Sequence, residues 1–152
     1  MMAALGRLLM AALWFVAPAM ADPMLKVRLA SGETLAIWTL PEGHEACLTW
    51  VHSVTGGKVA DCFIQREGQL LLARSYLHDF AAGLGEVVGR GHLTPAAGGG
   101  YWIEDMAEPI TANTLALRIG APSIAHRLTL GDQVLYLSQQ AAGQAATLRL
   151  VP

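Results

Sequence analysis

The sequence predicts an all-β protein: one small domain of roughly eight to ten short, mainly antiparallel strands, sandwich-like or barrel-like, behind an N-terminal leader. Three observations predict it. From residue 24 onward the chain is a series of short apolar or alternating runs, each bounded by Gly, Pro, Asn or Asp. That stretch shows no amphipathic helical spacing, and no helical crossover separates the runs, which disfavours a parallel α/β sheet. The chain of 152 residues is 53% hydrophobic and 14% charged, enough for one core and too apolar for disorder.

The elements follow in order. Residues 25–29 alternate cleanly and end at Ser31-Gly32. Residues 33–40 form the second run, and residues 46–54 the third, which ends near Gly56-Gly57. Residues 59–66 and 69–77 are joined by the turn Glu67-Gly68. A Gly-rich middle follows, in which Ala81-Ala82-Gly83-Leu84 suits one helical turn and Tyr101-Trp102-Ile103 a short strand. Residues 114–119, 124–130, 133–138 and 145–151 complete the set, with Gly131-Asp132 as a tight turn. The aromatics Trp38, Trp50, Phe63, Tyr76, Phe80, Tyr101 and Trp102 fall mostly on these runs, where core packing accounts for them.

The N-terminus reads as an export signal. Arg7 precedes an unbroken apolar run over residues 8–16, Pro18 ends it, and Ala19-Met20-Ala21 is an A-x-A cleavage site. Cleavage after Ala21 leaves one domain, residues 22–152, in an oxidising periplasm. The alternative is an uncleaved membrane anchor, but residues 8–21 fall short of the ~20 that a span needs. No later run approaches that length, so the mature chain carries no membrane span. Ten Lys and Arg are outnumbered by twelve Asp and Glu and do not cluster along the chain, which argues against nucleic acid as a partner.

One hairpin holds most of the chemistry. Strand alternation places Leu48, Trp50 and His52 on one face and Cys47, Thr49, Val51 and Ser53 on the other. If Gly56-Gly57 is a two-residue turn, His52 lies opposite Asp61 and Trp50 opposite Phe63. If the only two cysteines, Cys47 and Cys62, lie opposite each other and are bonded, the connection is a wider loop. A regular ladder cannot satisfy both.

The segment Trp50-Val51-His52-Ser53-Val54, then Asp61, then Phe80-Ala81-Ala82-Gly83-Leu84 resembles the bacterial domain-of-unknown-function family 1850, over roughly residues 29–151. Ala81 stands where that family usually has Gly, and Gly85 where it usually has Pro. The resemblance implies a small exported protein encoded beside a TRAP-type transporter of the TAXI kind, with that transporter or its solute-binding protein as partner.

Two functions compete. The first is a non-catalytic periplasmic accessory or binding module, with His52, Ser53 and Asp61 as a binding or structural polar group and His78, Asp79, Phe80, Gly83, Tyr101 and Trp102 as a contact loop. The second is a small hydrolase or metal-dependent enzyme using His52, Asp61 and His78. Against it, His52 and Ser53 face opposite sides of a regular strand, no G-x-S-x-G elbow is present, and the five histidines lack metal-ligand spacing. No catalytic residue, cofactor or metal is therefore assigned.

Overall fold

The computed structural model describes residues 21–79 and 89–152. The expected leader, apart from Ala21, and the expected helical turn at residues 81–84 lie outside the described residues, as do Phe80 and Gly83.

Among the described residues twelve strands form: β1 (Met24–Leu29), β2 (Thr34–Thr39), β3 (Ala46–Val51), β4 (Lys58–Arg66), β5 (Gln69–Leu77), β6 (His92–Pro95), β7 (Tyr101–Glu104), β8 (Glu108–Pro109), β9 (Thr114–Arg118), β10 (Arg127–Leu130), β11 (Gln133–Tyr136) and β12 (Ala145–Val151). One short helix, α1 (Leu137–Ala141), links the last two. Two strands escape a sequence reading. β6 is a four-residue edge strand ending in Pro95, and β8 has two residues, so neither is long enough to alternate visibly. No helix among the described residues is long and apolar enough to cross a membrane.

The strands make two open antiparallel sheets. The smaller has the order β2-β1-β12-β9; the larger runs β11-β10-β3-β4-β5-β7-β6, with β8 paired to β5. The burial of β1 alternates, with Leu25, Val27 and Leu29 inward, and Ala146, Leu148 and Leu150 of β12 do the same. They pack against Leu48, Phe63, Leu70, Leu128 and Leu130 of the larger sheet in one core. Leu77, Tyr101 and Ile103 form a second, smaller cluster at the other end of the larger sheet.

Register fixes what each face shows. The turns Glu67-Gly68 and Gly131-Asp132 are two-residue connections, pairing Arg66 with Gln69 and Leu130 with Gln133. The connection from β3 to β4 is longer. Cys47 pairs with Cys62, Leu48 with Asp61 and Trp50 with Val59, and residues 52–57 form the loop. A bulge in the β4–β5 ladder falls between Cys62 and Phe63 and skips Ala73, so Asp61 comes opposite Ser75.

Candidate functional site

Cys47 and Cys62 are disulfide-bonded across β3 and β4, and no free cysteine remains. This bond selects the register and overturns the pairing of His52 with Asp61 expected from a two-residue Gly56-Gly57 turn. His52 closes its own loop instead. Its Nδ1 accepts from the Val54 and Thr55 amides, each at 3.3 Å, and its backbone bonds to Gly56 and Gly57. Ser53 is an exposed turn residue beside it. A Cβ on Gly57 would strike the Asp79 carboxylate and the His78 Cβ, so His78 and Asp79 pack on this loop.

Asp61 lies on the inward face, away from that loop. Ser75 Oγ donates to its Oδ1 at 2.6 Å. Burial pushes the Asp61 carboxyl above its ordinary value, while the Ser75 bond and the Arg90 charge pull it down and Glu108 opposes them. Arg90 is itself held by Glu108, whose two oxygens accept from its Nε and Nη2. His78 extends from the opposite face of β5, where its Nδ1 lies 3.2 Å from the Tyr76 hydroxyl. The structure therefore does not bring His52, Asp61 and His78 together.

The other face of the larger sheet carries a feature the sequence reading missed. Successive registers align Tyr136, Arg127, Thr49, Ala60, Tyr76, Trp102 and Thr94 in one row across the strands. Tyr136 and Arg127 on one side and Tyr76 and Trp102 on the other flank the small Thr49 and Ala60 in its middle. The result is a trough of 790 Å³ whose lining includes the disulfide. That volume falls within the ~300–1,000 Å³ range of small-molecule sites. Strand spacing puts Arg127 and Tyr76 roughly 14 Å apart across it.

The walls differ. On one side Tyr76 and Trp102 pack with ring centroids 5.3 Å apart and planes tilted by 55°, and the Tyr76 hydroxyl donates to the Gly99 carbonyl at 2.9 Å. The Arg74 guanidinium lies 4.3 Å from the Trp102 ring centre and is neutralised by Glu45 at 2.6 Å and Glu104 at 3.8 Å. Trp102 lies on strand β7, where residues 101–103 were expected to form a short strand, and faces the trough, while Tyr101 is buried inward. Tyr76 also faces the trough rather than the core.

On the other side stand Arg127, Tyr136 and His126. The His126 Nδ1 accepts from the Gly120 amide at 2.8 Å, its ring lies 5.9 Å from that of Trp50, and burial pulls its pKa down, favouring the neutral ring. The trough lining contains Lys58 and Arg127 and no Asp or Glu. Neither cation forms an ion pair among the described residues. Glu45, Cys47 and Cys62 are the group of metal-ligating side-chain types brought together among the described residues, but the disulfide consumes both sulfurs.

The sequence profile of the family described as "Domain of unknown function (DUF1850)" matches residues 47–137. The chain belongs to the DUF1850 family. The match begins at Cys47, one residue into β3, and runs through β11, so it takes in the disulfide and all of the trough lining except Ser138 and Gln139, and leaves β1, β2 and β12 outside. It is narrower than the resemblance read from the sequence. No curated protein and no solved structure matches the chain.

Proposed function

We propose that this DUF1850 protein is an exported, non-catalytic binding module whose ligand lies in the trough on the outer face of the larger sheet. One observation carries the reading: the row in which small Thr49 and Ala60 separate the Tyr76–Trp102 wall from Arg127 leaves a hollow of ligand size. The ligand class follows from the lining. An aromatic wall and a largely apolar floor suit an elongated apolar body, while Lys58 and Arg127, with no carboxylate beside them, suit one anionic end.

The setting is part of the proposal. Export through the leader, with cleavage after Ala21, delivers the domain to the periplasm, and the Cys47–Cys62 bond suits an oxidising compartment. A TRAP-type transporter of the TAXI kind, or its solute-binding protein, is the partner implied by the family resemblance.

Calorimetric titration of the exported protein with decanoate, decanol and decylamine tests the site. Decanoate binds most tightly and decylamine least, and Thr49→Tyr, which fills the middle of the row, abolishes binding without unfolding the sheet. Unchanged decanoate affinity in Thr49→Tyr places the ligand elsewhere and refutes the reading.

A further inference from the structure

The outer face of the smaller sheet carries a charge pattern that the trough does not use. Alternation and register place Lys26 and Arg28 of β1, Arg149 of β12 and Arg118 of β9 on this face. No Asp or Glu occurs in any of the sheet's four strands. Four of the chain's ten Lys and Arg therefore share this face, although the chain as a whole has a formal charge of −2. Lys26 sits directly opposite Arg149. Like charges in that position destabilise a sheet, so folding alone does not account for the arrangement.

The same face has a hollow and an apolar margin. Between Arg28 and Arg118 the small residues Ala116, Ala145 and Thr147 leave a depression of 620 Å³. Both guanidinium groups are anchored by backbone carbonyls, Arg28 on Gly32 at 3.0 Å and Arg118 on Gly143 at 2.5 Å. Each keeps further N–H groups for an anion. Met24 and Ile37, on the same side of the sheet, are 37% and 50% exposed.

We infer that this face docks on an anionic membrane surface, with a lipid phosphate seated between Arg28 and Arg118. Spread cations with exposed apolar residues match a headgroup layer. The apolar run at residues 8–16 precedes β1 in the sequence, so a chain still carrying its leader is tethered to a bilayer through the strand that bears Lys26 and Arg28. The inference stands apart from the trough, which lies on the other sheet.

The test is partition of the full-length chain, as recovered from the cell envelope, onto vesicles of phosphatidylglycerol mixed with phosphatidylcholine and onto phosphatidylcholine alone. Anchoring by a leader and attraction to charge add, so the ratio between vesicle types is read whether or not the leader has been removed. The ratio exceeds about tenfold in dilute buffer, falls as salt is raised, and loses about fivefold with each of Lys26→Gln, Arg28→Gln, Arg118→Gln and Arg149→Gln. An unchanged melting temperature in the Lys26→Gln and Arg149→Gln variants separates lost docking from lost folding. A ratio near one, a ratio that survives all four substitutions together, or displacement by inorganic phosphate at matched phosphate concentration overturns the inference. Binding to an acidic protein in place of vesicles overturns it too.

Discussion

Ser75 Oγ donates a 2.6 Å hydrogen bond to Asp61 Oδ1 on the inward face of the larger sheet. Counting back from the Glu67-Gly68 turn would set Asp61 against Arg74, on the inward face that Phe63, Leu70 and Leu72 share. The bulge that skips Ala73 puts Ser75 in place of Arg74 opposite Asp61, which faces inward with Phe63, and turns Arg74 out to Trp102. A carboxylate is thereby buried with a neutral partner, and its pKa rises because burial outweighs the hydrogen bond.

Asp61→Asn is expected to raise the melting temperature at neutral pH by several degrees, since the amide keeps an acceptor for Ser75 and loses the buried charge. A raised carboxyl favours folding below its unfolded value of 3.8 and loses that contribution as pH rises through the folded value. The advantage of the variant should therefore vanish in acid. Thermal melts of both proteins between pH 3 and 7 check this. A variant less stable than the parent at neutral pH would show that the carboxylate charge is needed.

His126 titrates with the opposite sign. Burial holds its folded pKa below 6.5, so its contribution to stability is complete above that value and is lost as pH falls through the folded one. The Gly120 amide, which donates to Nδ1, would lose its acceptor on protonation. Denaturation at pH 7.5 and pH 5 should show a fall in stability that is absent in His126→Asn.

Reduction of the Cys47–Cys62 bond opens a loop with a sequence separation of 15 and is expected to cost about 3 kcal/mol in the chain-entropy model. Urea denaturation with and without reductant measures it. The bond lies in the trough lining, so decanoate affinity should fall as well.

Gly100 has φ +72, and a Cβ there would lie 2.6 Å from the Leu77 carbonyl oxygen and 2.7 Å from the Tyr76 hydroxyl. Gly100→Ala should destabilise the protein by roughly 1–3 kcal/mol and loosen the Tyr76–Trp102 wall. A variant with full stability and unchanged tryptophan fluorescence would contradict that close approach.

The fold was legible where turn chemistry and alternation agreed. Glu67-Gly68 and Gly131-Asp132 fixed their hairpins, and the alternation of residues 25–29 identified the inward face of β1. Gly56-Gly57 misled because the two glycines serve different ends. Gly56 has φ +70, whereas Gly57 makes room for Asp79 within a loop closed by His52. The disulfide register, one of the two read from the sequence, was the informative one. The trough was hidden because its row takes one residue from each of seven strands, and no local motif joins Arg127, Thr49 and Trp102. The bulge that gives Asp61 its partner leaves no mark in the sequence of β4 or β5.

The central claim is that the outer face of the larger sheet binds an amphipathic anion. Titration of the isotopically labelled protein with decanoate, followed by amide and indole chemical shifts, tests it most directly. The shifts are expected to concentrate on Thr49, Ala60, Tyr76, Trp102 and Arg127 and to saturate together with one affinity. Saturable shifts centred on Asp61, Ser75 and Ile103 of the inward face, with the row undisturbed, would contradict it.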